Sequence, residues 1–502
     1  MAIPLLNTGV DPPFPAEVPQ LAHGLQKVLF NPGVHYFKDP RTKEYNFTPY
    51  LEAITQPSDF NYDAITPYIT SSKDSSLIDL ARAKAKRYVG STSSISSALA
   101  QLYFLMSNLK PVDTACLSKV FTDQPTRFTP GIRKPYTFYL RWKNGVYAID
   151  ADKAFDDVET ILSTLGKSLE KVLTNEPAQY ERYLRVNAAE FNEEDRLQRE
   201  AYAYGEMGKF LLRSQLDCYD DRLPGKTFDL KTRAVLPIRM DTENHYNYYG
   251  YTLKRSQGLY ESFEREYYDM MRSAFLKYTF QVRIGHMDGI LVAYHNTQTL
   301  FGFQYISKEE MDARLFGSTK LGDQVFRNSL YMFETILDQA TQKFPEQTLR
   351  ISFDTRLRQS QNTTMFAYVE PVPTDNEPST KANEPTMNNN LEEFFQTKET
   401  SDETNGKDFS PFEGLTVYQI NTSSKVNDTI INGPLILDNY RNFRWSLRMR
   451  MQEILINNLP EKQKRFIALR KTQHKITEPS RKNPFSKYLK SLIERNTNHD
   501  RF

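Results

Sequence analysis

The spacing of apolar residues along the chain predicts a protein built from both helices and strands. In several segments apolar side chains recur every three or four residues, which is the period of a helix that buries one face. The segments with this helical period are Ser76–Tyr88, Ile95–Leu109, Ala154–Leu173, Glu193–Leu212, Leu259–Lys277, Gln324–Lys343 and Asn439–Asn458.

Other segments alternate apolar and polar residues, which is the period of a strand. Tyr136–Ile149 alternates around Asn144-Gly145, a dipeptide that favours a tight hairpin turn. Further strands are predicted in Ser214–Tyr219, Thr227–Leu236, Gly289–Tyr294, Leu300–Ile306, Leu349–Pro371 and Phe412–Leu437. The order helix, strand, strand, helix, strand after Glu193 covers about 115 residues and is typical of one mixed α/β domain.

These elements divide the chain into five regions: an extended proline-rich arm, an accessory domain, the α/β unit, a second accessory region and a basic tail. Their predicted bounds are 1–75, 76–190, 191–310, 311–460 and 461–502. The fourth region is interrupted at 373–409 by a segment with nine acidic residues and three lysines, which predicts disorder. The tail has twelve Lys or Arg and four acidic residues, and it is the clearly basic part of the sequence.

Composition limits the possible functions only in part. The 502 residues carry a net charge of +2, so a basic surface for nucleic acid would have to be local. Cys116 and Cys218 are far apart, and we expect two reduced thiols rather than a disulfide. No apolar run of roughly 18 residues predicts a membrane-spanning helix. Met1–Pro19 has the features of neither a secretory signal nor a transit peptide, so for an organellar protein we expect the targeting segment to lie outside this sequence.

The residues that point to chemistry lie in and before the predicted strand Thr227–Leu236. Asp229 and Lys231 are two residues apart, so on a strand they share one face. Asp217 lies on the preceding strand, and a hairpin would bring it beside Asp229. Glu206, on the predicted helix upstream, supplies a third carboxylate. Three oxygen ligands favour Mg²⁺ or Mn²⁺, and a neighbouring lysine can position the attacking water, so the pattern predicts metal-assisted phosphodiester hydrolysis.

Several of these assignments have alternatives. Taken alone, Asp229 and Lys231 are more often a simple ion pair than a site. Glu200 lies on the same predicted helix as Glu206 and is the alternative third acid. The basic and aromatic residues that could contact the substrate are Arg233, Arg265, Tyr268, Lys277 and Arg283.

The order of these residues resembles the PD-(D/E)XK nuclease core, with Asp217 as the lone acid and Asp229-x-Lys231 as the signature pair. The commonest acid at the second position is Glu, and Asp229 is a shorter variant. The resemblance implies a restriction-endonuclease-like α/β core, a mixed sheet flanked by helices, with N- and C-terminal extensions. The metal ligands would be Glu206, Asp217 and Asp229, and Lys231 would complete the catalytic set.

Longer stretches resemble a more specific family, the fungal mitochondrial RNA 5′-end processing factors. They are Ser91–Ser107, Tyr139–Asp152, Leu223–Arg239 and Phe280–Thr297, and the resemblance spans roughly Leu29–Ile306 with a weaker continuation at Pro434–Ile456. It implies a 5′-to-3′ exoribonuclease that acts on single-stranded RNA. It also implies a matrix or inner-membrane-associated location, and a partner such as the mitochondrial RNA polymerase or RNA degradation machinery.

Two other functions fit the same residues. One is a non-catalytic RNA-binding or polymerase-associated factor on a nuclease fold, against which the intact Asp217, Asp229 and Lys231 argue. The other is a DNA exonuclease of the recombination type. The sequence does not separate RNA from DNA, because contacts to a 2′-hydroxyl leave no motif here.

Overall fold

The computed structural model describes residues 8–153, 160–190, 200–357, 362–372, 414–437, 443–455 and 459–477. Within this part of the chain the strands form an eleven-stranded and a five-stranded sheet, with helices packed on both. The α/β class predicted from the sequence, a mixed sheet flanked by helices, is confirmed. No helix in the described part of the chain has the length and apolar character to cross a membrane.

The strands are numbered in chain order. They are β1 (Thr8–Val10), β2 (Val34–Tyr36), β3 (Tyr88–Ser91), β4 (Tyr136–Lys143), β5 (Val146–Ala151), β6 (Tyr202–Met207), β7 (Phe210–Gln215), β8 (Cys218–Tyr219), β9 (Thr227–Ala234), β10 (Gly289–His295), β11 (Leu300–Ser307), β12 (Leu349–Leu357), β13 (Thr363–Pro371), β14 (Thr416–Val426), β15 (Thr429–Ile431) and β16 (Trp445–Glu453).

The helices are numbered in the same way. They are α1 (Ser75–Ala83), α2 (Thr92–Ser107), α3 (Pro130–Arg133), α4 (Ile161–Thr174), α5 (Pro177–Tyr180), α6 (Leu236–Met240), α7 (Phe263–Ser273), α8 (Phe275–Ile284), α9 (Lys308–Leu315), α10 (Thr319–Lys343) and α11 (Leu459–Thr477).

The large sheet has the order β1-β6-β7-β3-β5-β4-β12-β13-β14-β15, and β16 pairs with β14. Helix α2 crosses it and contacts α8 and α10. Nearly all of α2 is buried, as expected of a helix that is apolar around most of its surface. It begins at a capping box in which Ser91 and Ser94 satisfy each other's free backbone N–H groups.

The small sheet, β2-β11-β10-β9-β8, positions the candidate site. Strands β9 and β10 are parallel, and the chain crosses between them through α7 and α8, because parallel neighbours require such a connection. One face of β9 presents Phe228 and Leu230 to a core shared with Leu165 and Leu169 of α4. The other face is turned toward α8, so β9 lies between two helices.

Most of the predicted elements are confirmed, but two predicted helices are wrong. Glu193–Leu212 was expected to be helical, and the structure places the hairpin β6–β7 in its described part. Gly208 has φ +55° at the turn, a conformation that favours glycine and fits a hairpin rather than a helix. Asn439–Asn458 was also expected to be helical, but Trp445–Glu453 is the strand β16 paired along β14.

In the second segment the alternation of side chains decides the structure. Along β16 the side chains of Ser446, Arg448 and Arg450 are exposed and those between them are less exposed, which is the period of a strand. The predicted helix Leu259–Lys277 is divided into α7 and α8 at Ala274. The acidic segment 373–409 and the end of the basic tail beyond Thr477 lie outside the described residues. The five domain bounds stay a prediction, since strands of the large sheet come from the first four regions.

Candidate active site

Strand β9 places Asp229, Lys231 and Arg233 on one face, as the sequence predicts. Their partners on β10 are Ile290, Val292 and Tyr294, which belong to the core against α8. The Asp229 side chain is 1% exposed, whereas that of Lys231 is 20% exposed. The lysine therefore marks the side from which solvent reaches the site.

Asp217 immediately precedes the short strand β8. It lies beside Asp229, at the point where the pairing of β8 with β9 stops and the edge of β9 is open. Its Oδ2 accepts a hydrogen bond from the backbone N–H of Leu230 at 2.9 Å, in the place of a neighbouring strand. Burial raises the pKa of Asp217 well above its usual value, and the nearby carboxyl groups of Asp229 and Glu170 raise it further.

Glu170, on α4, is the third carboxyl group of the site and was missed by the sequence reasoning. Burial raises its pKa, Lys171 opposes this shift, and Glu200 and Asp229 add to it. The helix was predicted, but the acid was sought on the wrong helix. If Met207-Gly208-Lys209 had been read as a hairpin turn, α4 would have been the helix upstream of the paired strands.

Glu206, the predicted third ligand, is not brought to this cluster. It lies on β6 opposite Leu211, and its carboxylate forms an ion pair with Lys86 at 3.2 Å. Leu211 precedes Asp217 by six residues, roughly 20 Å of extended chain. The alternative, Glu200, lies closer: it affects the pKa of Glu170, and Gln215 Nε2 donates to its Oε2 at 3.2 Å.

Lys231 remains a cation in this environment. Burial alone would lower its pKa, but Asp229 and then Asp217 outweigh burial, and the pKa is raised. The Nζ atom lies 2.5 Å from Asp229 Oδ2 and 5.3 Å from the ring centre of Tyr278. Gln281, one turn further along α8, donates from Nε2 to Asp229 Oδ1 at 3.4 Å. The sequence reasoning did not consider Tyr278 or Gln281.

The other predicted substrate contacts have different surroundings. Arg265 Nε lies 3.3 Å from Asp269 Oδ2, and the buried Tyr268 donates to the backbone oxygen of Pro125 at 2.7 Å. Arg283 is buried and forms ion pairs with Asp312 at 2.7 Å and Asp323 at 3.0 Å. Lys277 is half-buried on α8. The predicted contact that shares a strand face with Asp229 and Lys231 is Arg233.

The carboxyl groups fit a divalent cation in their chemistry. Buried carboxylate oxygens are the ligands that Mg²⁺ and Mn²⁺ prefer. Asp229 Oδ2 is buried and, apart from its ion pair with Lys231, has no hydrogen-bond partner in the described residues. No three His, Cys, Asp or Glu side chains in the described ranges are already arranged as a metal site. Asp229 nevertheless raises the pKa values of both Asp217 and Glu170, so the three carboxyl groups lie close enough to interact, and Lys231 pairs with Asp229 Oδ2.

Fold and site together define a mixed α/β protein with a carboxylate–lysine cluster at the open edge of β9. The sequence model of the mitochondrial protein Pet127 family matches residues 68–338. The chain belongs to this family of mitochondrial proteins. The resemblance of the sequence to a mitochondrial protein family is thereby confirmed.

Two relatives show how much of the family's length is present. The mitochondrial mRNA degradation protein pet127 of Schizosaccharomyces pombe is 37% identical over 341 residues, 67% of this chain and 65% of that relative. PET127 of Saccharomyces cerevisiae is 39% identical over 315 residues, 59% of this chain and 37% of that relative. The chain thus spans less than two thirds of the length of each relative.

Among solved structures, Rai1 proteins are similar at low sequence identity. Scheffersomyces stipitis Rai1 is 11% identical, with a TM-score of 0.33 over 70% of this chain and 87% of that one. Candida albicans Rai1 in complex with pU5–Mn²⁺ is 10% identical, with a TM-score of 0.32 over 74% and 94% of the two chains. Neither similarity is strong enough to show a shared function.

Proposed function

We propose that this protein is a divalent-metal-dependent ribonuclease that degrades or trims mitochondrial RNA from the 5′ end. The observation that carries the proposal is the meeting of Asp217, Asp229 and Glu170 with Lys231 at the open edge of β9. Burial and neighbouring carboxyl groups raise the pKa values of Asp217 and Glu170, which is unfavourable for stability, and such an arrangement is typical of a functional site.

Each side chain has a distinct part in the proposed hydrolysis. Asp217, Asp229 and Glu170 would hold Mg²⁺ or Mn²⁺, which when bound supplies Lewis-acid activation of the phosphate and of water. Lys231 stays protonated because its pKa is raised, so it acts as a fixed cation and not as a base. Its place beside Asp229, on the solvent side, suits it to orient the attacking water and to stabilise charge on the phosphate.

The RNA substrate and the polarity are the finer part of the proposal. Support for RNA comes from the name of the Schizosaccharomyces pombe relative, an mRNA degradation protein. The 5′-to-3′ direction, single-stranded substrate, inner-membrane association and partnership with the RNA polymerase or degradation machinery rest on the family resemblance. Arg233 is the main proposed substrate contact, because it shares a strand face with Asp229 and Lys231. Arg265, Tyr268 and Arg283 contact protein groups, and Lys277 also has a contact within the protein.

The test is an assay of the purified chain on RNA and DNA of the same sequence, each labelled at the 5′ or the 3′ end. We expect RNA to be shortened from the 5′ end with Mg²⁺ or Mn²⁺ and to be stable in EDTA. Cleavage of DNA alone would indicate a DNA exonuclease. Tight RNA binding without cleavage in any metal would indicate a binding factor on a nuclease fold and would overturn the proposal.

A further inference from the structure

Arg233 lies on the same face of β9 as the proposed catalytic residues, two positions beyond Lys231. It is 8% exposed, so its guanidinium is enclosed rather than solvated. Its Nε and Nη2 atoms are buried and have no hydrogen-bond partner in the described residues. These two atoms form one edge of the planar group, the edge whose parallel N–H bonds bind a phosphate or carboxylate in bidentate fashion.

The acid nearest to Arg233 is engaged elsewhere. Glu266 lies 3.4 Å from Arg233 Nε, beyond a good hydrogen bond. Its Oε1 accepts from the backbone N–H of Leu236 at 2.7 Å, and its Oε2 accepts from Arg239 at 2.5 Å. Asp269 is likewise contacted by Arg239 and Arg265. The fold therefore buries a guanidinium that has an ion pair with Glu266 but no hydrogen bond on its bidentate edge, and buried N–H donors without a hydrogen bond cost free energy unless an acceptor binds there.

The position of this edge relative to Lys231 suggests which anion it receives. Two residues of strand rise about 6.6 Å, which is comparable with the separation of neighbouring phosphates in an extended single strand. A phosphate at Lys231 would thus have the next phosphate near Arg233. Because Arg233 is far less exposed than Lys231, a chain end reaches it more readily than a strand that continues past the site.

We propose that Arg233 binds the 5′-terminal phosphate of the RNA, while the neighbouring phosphodiester lies at Asp229 and Lys231. This inference rests on the proposed function, and it adds a substrate class: RNA with a 5′-monophosphate end. Tyr278 of α8, which neighbours both Lys231 and Arg233, borders the same position. The pocket would select 5′-phosphorylated over 5′-hydroxyl RNA and would set the register of the first cut.

The experiment compares 5′-phosphate and 5′-hydroxyl RNA of one sequence for the wild-type chain, Arg233→Lys and Arg233→Gln, with Arg222→Gln as the control. Arg222 is an exposed arginine paired with Asp220, so its loss should change neither substrate. We expect the wild type to favour the 5′-phosphate end by about tenfold, mainly through KM, and both Arg233 variants to lose that preference. Arg233→Lys keeps the positive charge but removes the two parallel N–H donors. It therefore tests the bidentate contact even if Arg233→Gln folds poorly. A wild type that cleaves both ends equally, or variants that slow both equally, would overturn the inference.

A failure of the proposed function can be told apart from a failure of the pocket. If the wild-type chain hydrolyses no RNA, equilibrium binding of the same two oligonucleotides still tests Arg233. A 5′-phosphate that increases affinity in the wild type but not in Arg233→Lys would support the pocket. Equal affinities for the two ends in the wild type would overturn it.

Discussion

Two carboxylate–lysine pairs, each with its acid on a strand, illustrate the difference between an ion pair and a functional site. Glu206 and Lys86, beside the large sheet, lie 3.2 Å apart and are both partly exposed. Asp229 and Lys231, in the small sheet, lie 2.5 Å apart, and Asp229 is buried. The decisive difference lies in the neighbouring residues, because Asp217 and Glu170 lie near the second pair and have raised pKa values. In the first pair each charge is balanced by its partner, whereas the cluster around Asp229 has more carboxyl groups than one lysine can neutralise.

The largest difference expected between the two pairs is in the effect of removing their lysines. Lys231→Ala should reduce RNA cleavage by at least about 100-fold, because the cation that faces the reacting phosphate is lost. Lys86→Ala, in the matched pair, should leave the rate within about twofold, since this partly exposed pair lies away from the carboxyl cluster and contributes little. Single-turnover rates and thermal melting of both variants make the measurement. Similar losses of cleavage rate in two folded variants would show that the two ion pairs do not differ in function.

The third carboxyl group gives the next effect. Glu170→Gln should weaken activity at limiting Mg²⁺ by roughly 10- to 100-fold, because it removes an oxygen ligand. Glu206→Gln should behave as the wild type. A metal titration of the two variants decides the matter, and the reverse order would return the site to the residue first predicted from the sequence.

Removal of a carboxyl group from the cluster should lower activity but raise the stability of the metal-free protein. Asp217→Asn removes a carboxyl group that repels its neighbours, and we expect it to stabilise the fold in EDTA by about 1 kcal/mol. The folded-state pKa of Asp217 lies above its unfolded value, so the folded chain holds a proton that the unfolded chain has released. Stability in EDTA should therefore fall as pH rises between those two values, and the variant should flatten that slope. A variant that melts earlier than the wild type in EDTA would count against the repulsion.

The smallest effect concerns the basic tail. Its first part is α11, whose buried Leu469 and whose Arg470, paired with Asp152 at 3.0 Å, hold it to the body of the protein. Removal of the chain after Pro460 would therefore disturb the fold, and removal after Thr477 is the cleaner change. Residues 478–502 contain six Lys or Arg and three acidic residues, a net charge of +3. If they contact phosphates, their loss should flatten the salt dependence of RNA binding by a slope of about 1 to 2. Equal slopes would show that they do not.

The sequence predicted local structure well where one period dominates. The hairpin around Asn144-Gly145 and the strands of Asp229 and Ile290 follow from alternation and turn chemistry. The helix predicted for Glu193–Leu212 is wrong because the apolar spacing of this segment fits a helix as well as a strand. The turn at Gly208 and the pairing with β1 make its described part a hairpin. Tertiary pairing overrides a weak local preference in such segments.

The site could be predicted only in the part that is local in sequence. Asp229 and Lys231 share a face by alternation, and Asp217 is near by virtue of a short connection. Glu170 comes from an element 59 residues before Asp229, and its placement depends on how α4 packs on β9. The burial of Arg233 Nε and Nη2 without a hydrogen bond depends on the surrounding tertiary structure, so no local pattern in the sequence predicts it.

The most direct test of the account is the metal-dependent cleavage of end-labelled RNA by the wild-type chain and by Asp229→Asn, with Asp221→Asn as the control. Asp221 lies on the exposed turn before β9. We predict cleavage with Mg²⁺ or Mn²⁺, none in EDTA, a loss on the order of 10³-fold for a folded Asp229→Asn, and no loss for Asp221→Asn. An Asp229→Asn variant that cleaves within a few-fold of the wild-type rate would contradict the assignment of the active site.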